Sequence, residues 1–193
     1  MSDLAILRQT IYNYVPGCEQ EVQDRRLMLE FLERNPDALL RSNRVAHFTA
    51  SSWIVDTTGK QTILVYHTLY DSWSWTGGHA DGDADLLAVA LREAREETGL
   101  VQIEPVHSSP MSLEVITVEG HQKHGDYISA HIHLNLTYLL QASLDQPIRI
   151  CPEENQGVRW VERNRAISLS TEPKMIPIYQ KLEQRTTQML SIL

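Results

Sequence analysis

Apolar residues in the first quarter of the chain recur every three to four positions, the period of helices with one buried face. The pattern predicts two long helices and a short one, over residues 2–14, 19–34 and 37–42. We expect them to form a helical extension, residues 1–43, in front of one domain that covers residues 44–193. Packing against that domain or dimerisation is the expected role of the extension, and a homodimer is an assembly that it would allow.

After residue 44 apolar and polar residues alternate, which is the period of β-strands half buried in a sheet. The first two strands flank a turn at residues 57–60 and should form a hairpin. One helix follows the third strand, and another is expected over residues 173–193. This mixture predicts the α/β class, with a mixed β-sheet sandwiched by helices. The predicted strands cover residues 45–56, 61–68, 72–76, 101–106, 112–119, 127–141 and 158–161.

Three carboxylates lie at offsets of zero, three and four residues: Glu93, Glu96 and Glu97. On a helix these offsets put them on one face, where like charges repel unless a cation lies among them. Carboxylate oxygens are the ligands that a hard divalent cation prefers. A solvated helix with surface ion pairs is the alternative interpretation. The apolar flanks of the helix, Gly99 at its end and the glycine-rich loop before it favour a metal site.

This stretch resembles the Nudix box, in which a Gly, a Glu and the run Arg-Glu-x-x-Glu-Glu-x-Gly stand at fixed spacings. The box would begin here at Gly78, and residues 92–100, REAREETGL, match its C-terminal half in full. One position departs, because Ala84 stands where the family has its first Glu. That Glu usually supports the Arg of the box, and Asp83 or Asp85 is available here to replace it.

The resemblance to Nudix hydrolases of the MutT-like type implies an α/β/α sandwich. It also implies hydrolysis of a nucleoside diphosphate linked to another moiety, with Mg²⁺ or Mn²⁺ as cofactor. The metal ligands would be Glu93, Glu96 and Glu97, with the backbone carbonyl of Gly77 as a further ligand. Arg92 would orient a carboxylate, and its helical spacing allows a pair with Glu96.

The general base of such a reaction stays open, because in this family it is a box Glu or a carboxylate outside the box. Glu154, in a Pro-Glu-Glu-Asn loop before a strand, is the candidate from outside, and Glu153 is its neighbour. A solvated acidic loop is the alternative for both residues. The predicted catalytic residues are therefore Arg92, Glu93, Glu96 and Glu154.

Three histidines and an asparagine are candidates for substrate binding. His79 lies in the glycine-rich loop, beside any phosphate that the loop would hold. His131, His133 and Asn135 share one face of a predicted strand. Two histidines at this spacing also suit a transition metal, and simple solvation of an exposed strand face is a third interpretation.

Composition excludes several classes of protein. The 193 residues carry a formal net charge of −8, which argues against broad nucleic-acid binding because phosphate backbones attract basic surfaces. No apolar run approaches membrane-spanning length, and the N-terminus lacks the apolar region of a secretory signal, so a cytoplasmic location is the expectation. The two cysteines, Cys18 and Cys151, are predicted to be free thiols.

Two other functions compete with hydrolysis. A non-catalytic nucleotide-binding or regulatory module would use the same fold, but degraded box acids would be expected of it and these acids are intact. An isomerase of the isopentenyl diphosphate type would need a cysteine near residues 75–79, which contain none. The box does not specify a base or a leaving group. The predicted partner is therefore a small, nucleotide-like phosphorylated substrate.

Overall fold

A mixed β-sheet between helices organises the chain, which the computed structural model describes for residues 3–123 and 125–191. The helices are α1 (Asp3–Asn13), α2 (Glu19–Arg34), α3 (Leu86–Thr98), α4 (Arg163–Leu169) and α5 (Ile176–Leu190). The strands are β1 (Ala46–Asp56), β2 (Gln61–His67), β3 (Ser72–Ser74), β4 (Thr76–His79), β5 (Ile103–Pro105), β6 (Ser112–Val118), β7 (His121–Lys123), β8 (Asp126–Ile128), β9 (His131–Ala142) and β10 (Asn155–Glu162).

The parallel pair of β1 and β9 forms the centre of the sheet, in register from Ala46 opposite Ile132 onward. Strand order is β10-β2-β1-β9-β5, and the other pairings in the sheet are antiparallel. On its other side β1 pairs with β2 next to their turn and with β4 farther back, where Thr49 lies opposite His79. Two strands, β2 and β4, therefore share this edge of β1. Because β4 contains Gly77 and Gly78, part of the glycine-rich stretch belongs to the sheet.

The two faces of the sheet differ in how helices cover them. One face carries Phe48 and Ala50 of β1, which share an apolar cluster with residues of α1, α2 and α3. The opposite face carries a second apolar cluster, in which Trp53, Val55 and Leu139 pack with Tyr179 of α5. Nearer the start of β1 and β9 that face carries polar side chains instead. These polar side chains are His47, Thr49, Ser51, His131, His133, Asn135 and Thr137.

The structure confirms the predicted fold class, a mixed sheet sandwiched by helices. The predicted hairpin is present as β1 and β2. Its turn is held by the Asp56 carboxylate, which accepts hydrogen bonds from the backbone amides of Thr58, Lys60 and Gln61. Both cysteines are free, as predicted.

The short third helix predicted over residues 37–42 is wrong, because this segment forms turns. Its carbonyl groups are used by neighbouring parts of the chain: Ala38 accepts from the amide of Phe48 and Leu39 from the amide of Gly82. A helix would need those carbonyls for its own ladder, and so short a segment gains little from helix formation.

The second half of the chain also differs from the prediction in detail. Strand β7 and the first residue of β8 lie in the expected polar loop before residue 127, and the long strand begins only at His131. Helix α4 was not predicted, and α5 begins at Ile176. Predicted helix positions 2, 192 and 193 lie outside the described residues. Within the described ranges, no helix has both the length and the hydrophobicity to cross a membrane.

Helix α2 is fastened to the domain by a buried carboxylate, Glu21. Its partners are Lys181 and Arg185 of α5, the hydroxyl of Ser112 and the amide of Gly17. Burial opposes ionisation of Glu21, but the Gly17 amide and the charges of Lys181 and Arg185 outweigh it and lower the pKa of its carboxyl. The predicted division of the chain at residue 44 stays a prediction.

Candidate functional site

The polar face of β1 and β9 opens into a cleft of about 1090 Å³. Its walls carry two groups of side chains with different chemistry, which are carboxylates from α3 and the loop before β10, and histidines from β1, β4 and β9. Strand β4 connects them, because Gly77 and Gly78 lie against carboxylates of α3 and the next residue, His79, belongs to the histidines.

Helix α3 presents its carboxylates from a fixed frame. The Asp85 side chain accepts a hydrogen bond from the Ala88 amide at 3.1 Å and caps the N-terminus. At the other end Gly99 adopts a left-handed conformation, with φ of 75°, that ends the helix. Between the caps, Ala90 and Ala94 are fully buried in the core. The acidic residues on the neighbouring positions are therefore held at the edge of a packed core.

Three carboxylates meet in the cleft: oxygen atoms of Glu93, Glu97 and Glu154 lie within 4.8 Å of one another. Glu97 is 3% exposed and accepts a hydrogen bond from the Gly77 amide at 2.8 Å. Glu96 lines the cleft as an exposed residue outside this group. The structure therefore brings together two predicted metal ligands and the predicted carboxylate from outside the box.

The environment of Glu93 and Glu97 disfavours their negative charge. Burial raises the pKa of Glu97 well above its ordinary value, and the charges of Glu154 and Glu93 raise it further. Burial also raises the pKa of Glu93, against the opposing effect of Arg92. Three crowded carboxylates with incomplete compensation are an arrangement that a divalent cation would relieve.

The two residues before His79 must be glycines, because neighbouring atoms leave no room for a side chain at either position. A Cβ atom at Gly78 would lie 2.5 Å from Oε2 and 2.8 Å from Oε1 of Glu93. A Cβ atom at Gly77 would lie 2.6 Å from the carbonyl oxygen of Ala50. Neither glycine has a positive φ, so any residue could adopt its backbone conformation. The absent side chains let β4 lie directly against β1 and the carboxylates.

Asn155 positions Glu154, a role that the sequence did not reveal. Its side-chain amide donates to the carbonyl oxygen of Glu97 at 2.9 Å, near the end of α3. Its backbone amide donates to Cys151 at 2.8 Å, which closes the loop that carries Glu154. The available signal was an asparagine directly after two acids at the start of a strand.

Four histidines form the second group, and the sequence pointed to three of them. Nitrogen atoms of His47, His79, His131 and His133 lie within 4.8 Å of one another. His47 was missed, although it occupies the same face of β1 as the neighbouring polar residues Thr49 and Ser51. It lies directly opposite His133 in the register of β1 and β9.

Asn135 lies beneath the cleft and is only 1% exposed. Its side-chain oxygen accepts hydrogen bonds from Thr49 and Ser51, each at 2.9 Å, and its amide donates to Thr137 at 3.1 Å. Thr137 in turn donates to Glu114 at 2.9 Å. The predicted contact of Asn135 with a substrate stays a prediction.

The sequence matches a family model described as the NUDIX domain, over residues 46–182. The chain belongs to the Nudix family. Membership confirms the predicted enzyme class, a Nudix-type pyrophosphohydrolase. The matched residues contain β1 to β10, and none of the curated proteins matches the sequence.

Solved Nudix structures have the same fold at low sequence identity. A MutT protein from Methanosarcina mazei Go1 is 14% identical, with a TM-score of 0.53 over 75% of this chain and 97% of the other. The Nudix hydrolase RenU from M. smegmatis is 16% identical, with a TM-score of 0.52 over 74% and 86%. The NUDIX domain of Shewanella oneidensis NrtR, solved with ADP ribose, is 17% identical, with a TM-score of 0.50 over 81% and 96%.

Of the two acids beside Ala84, Asp83 is the one that forms an ion pair with Arg92 among the described residues. Arg92 lies 4.0 Å from Asp83 and 3.1 Å from Glu93. Asp85, the other candidate, is used as the helix cap. The expected pair of Arg92 with Glu96 is not among the ion pairs of the described residues, since the Arg92 side chain turns to Glu93 instead.

Proposed function

We propose that this Nudix protein is a metal-dependent hydrolase that cleaves the diphosphate linkage of a nucleoside diphosphate linked to another moiety. The observation that carries the proposal is the meeting of Glu93, Glu97 and Glu154 in a cleft that is also lined by Gly77 and Gly78. These acids come from two distant parts of the chain. Their convergence in a cleft is difficult to explain as solvation of a surface helix.

The donor set fits Mg²⁺ or Mn²⁺. The ligating atoms would be carboxylate oxygens of Glu93 and Glu97, with Glu96 at the rim and the carbonyl of Gly77 as predicted further ligands. The raised pKa of the buried Glu97 carboxyl supports this assignment, because a cation would stabilise its charged form. Such an ion would neutralise charge on the diphosphate oxygens and make water more acidic.

The remaining steps belong to side chains of the chain itself. Arg92 orients Glu93 through their 3.1 Å contact. Glu154 is exposed to the cleft and is the proposed general base, which accepts a proton from the water that attacks phosphorus. Gly77 and Gly78 have no side chains, so the backbone of β4 lies directly against Glu97 and Glu93 in the wall of the cleft. Electrostatic positioning of this kind accounts for most of the rate in phosphoryl transfer.

A panel of substrates tests the proposal. ADP ribose, nucleotide sugars, dinucleotides, nucleoside triphosphates and coenzyme A are incubated with Mg²⁺, and phosphate release is measured after phosphatase treatment. We compare the wild type with Glu97→Gln and with Glu104→Gln, an exposed glutamate in β5. Loss of the Glu97 charge should lower kcat at least about 100-fold, as expected for one electrostatic group of an active site.

The outcomes separate the competing functions. Turnover that depends on Mg²⁺ and on Glu97 but not on Glu104 would support the proposal. Activity that Glu97→Gln leaves unchanged would overturn the assigned mechanism. Nucleotide binding by calorimetry without turnover of any substrate would instead favour the non-catalytic module.

A further inference from the structure

We propose that His47, His79, His131 and His133 form a second metal site, for a zinc-class ion with nitrogen ligands, separate from the carboxylates. The four residues lie on three strands but on one face of the sheet. His47 lies opposite His133 in β9, and His131 precedes His133 by two residues. His79 of β4 lies opposite Thr49 of β1, and Thr49 comes two residues after His47. Because side chains alternate along strands, this register directs all four imidazoles to the same side.

The distances fit tetrahedral coordination. Zinc–nitrogen bonds of about 2.0–2.1 Å at tetrahedral angles separate the nitrogens by about 3.3 Å. The Nε2 atoms of His131 and His133 are 3.1 Å apart, in a hydrogen bond that a bound ion would replace, and one nitrogen from each of the four rings lies within 4.8 Å of the others. Ring centroids of His47 are 5.1 Å from those of His79, His131 and His133. Small side-chain rotations would bring all four nitrogens to bonding distance.

Hydrogen bonds to backbone carbonyls already orient two of the rings. Nδ1 of His47 lies 3.0 Å from the Asn43 carbonyl oxygen, and Nδ1 of His131 lies 2.8 Å from that of Ser129. A carbonyl oxygen only accepts, so both Nδ1 atoms carry the proton and each neutral ring keeps a lone pair on Nε2. Histidines that bind metals are commonly held in this way.

His47 supplies an independent observation that a ligand is required. Its side chain is 4% exposed, and its Nε2 atom is buried with no hydrogen-bond partner among the described residues. A buried polar atom without a partner is rare in folded proteins and calls for an explanation such as an ion. This nitrogen is the one left free by the bond to Asn43, and its ring packs against the other three.

The electrostatic environment favours a cation over a phosphate. Burial and the neighbouring histidines together lower the pKa of His133 to about 2. Burial also lowers the pKa of His47. The converging atoms include the Nε2 lone pairs of His47 and His131, which can bind a cation but not an anion. Neutral imidazoles are good ligands of Zn²⁺, whereas Mg²⁺ prefers oxygen.

The position of the site indicates what the ion would do. Four protein ligands complete a tetrahedral shell, which is typical of structural zinc sites. The ion would join β1, β4 and β9 and hold His79, whose preceding residues Gly77 and Gly78 touch Glu97 and Glu93. We infer that zinc fixes the glycine-rich loop against the carboxylates, so His79, His131 and His133 act through the ion rather than by direct contact with substrate.

Metal binding by the full chain tests the inference without an activity assay. Protein stripped with a chelator is titrated with ZnCl₂ in a calorimeter, and with Co²⁺ while the visible absorption of tetrahedral Co²⁺ is followed. We expect one zinc per chain and a rise in Tm of about 5 °C or more at saturation. His133→Gln should abolish the cobalt spectrum and weaken zinc binding at least about 100-fold.

Matched variants distinguish the outcomes. His131→Gln, at a half-buried position, serves as a second ligand variant if His133→Gln does not fold. His107→Gln removes an exposed histidine and Glu97→Gln alters the carboxylates, so both should retain zinc and the cobalt spectrum. The inference is overturned if the protein binds no zinc. It is also overturned if Glu97→Gln loses zinc while His133→Gln and His131→Gln keep it.

Discussion

Replacement of Gly78 by alanine is a sharp test of how closely the carboxylates are positioned. The backbone at this residue suits alanine, because its φ is not positive. The added Cβ would lie 2.5 Å from Oε2 and 2.8 Å from Oε1 of Glu93, whereas ordinary contacts begin at 3.4 Å. The carboxylate of Glu93 must therefore move by about 1 Å, to restore van der Waals separation.

A displacement of this size should strongly reduce the reaction rate but change the stability of the fold only slightly. Misplacement by about 1 Å commonly costs about 100-fold in rate, equivalent to about 2.7 kcal/mol of transition-state stabilisation. The atoms displaced are the end of a flexible side chain, so we expect the free energy of unfolding to fall by only about 1 kcal/mol. Gly78→Ala should thus lose kcat while it remains folded.

The assay measures kcat and KM with the best substrate of the panel, together with urea unfolding. Gly17→Ala is a matched control, since its Cβ would overlap Nη2 of Arg185 and lie 3.3 Å from Cζ, outside the group of Glu93, Glu97 and Glu154. It should lose stability and keep kcat. If Gly78→Ala keeps the wild-type kcat, or loses activity only in proportion to its unfolded fraction, the proposed role of Glu93 is refuted.

Two further predictions concern single carboxylates. Glu154→Gln should lower kcat roughly 100-fold or more with little change in KM, as expected for loss of a general base, while its neighbour variant Glu153→Gln stays within about twofold. Glu21→Gln should cost about 3 kcal/mol at pH 7, because it leaves Arg185 partly buried without its partner. The folded-state pKa of Glu21 is lowered, so this stability is present above the ordinary value of 4.5 and disappears as the pH falls through the folded-state pKa.

Each of these has a result that would contradict it. Equal losses in Glu154→Gln and Glu153→Gln would mean that the loop contributes only general negative charge. For Glu21, urea unfolding is measured from pH 7 to pH 3, with the exposed Glu19→Gln as control. A stability difference between wild type and Glu21→Gln that stays constant over this range would show that the carboxylate is not charged in the folded protein.

The part of the site that could be predicted from sequence is the part fixed by local periodicity. Helical spacing alone puts Glu93 and Glu97 on one face of α3, and the glycines before the helix mark close approach. Glu154 was predicted from its local loop, but its position beside Glu97 depends on Asn155, which acts across the fold.

The parts that could not be predicted depend on pairing between distant strands. His47 joins His131 and His133 only because β1 and β9 are parallel neighbours, and no local pattern specifies that register. The same limit applies to residues 37–42, whose carbonyls are taken by Phe48 and Gly82. There the tertiary hydrogen bonds, and not the apolar spacing, decide the backbone conformation.

The central parallel pair also has a consequence for biosynthesis. Thr49 and Asn135, which face each other across β1 and β9, are 86 residues apart in the chain. A ribosome releases β1 well before β9 exists, so the nascent protein holds a strand with apolar residues such as Phe48 and Trp53 and one unpaired edge. Such edges recruit other chains. Chaperone protection during translation is therefore expected to matter for the yield of this enzyme.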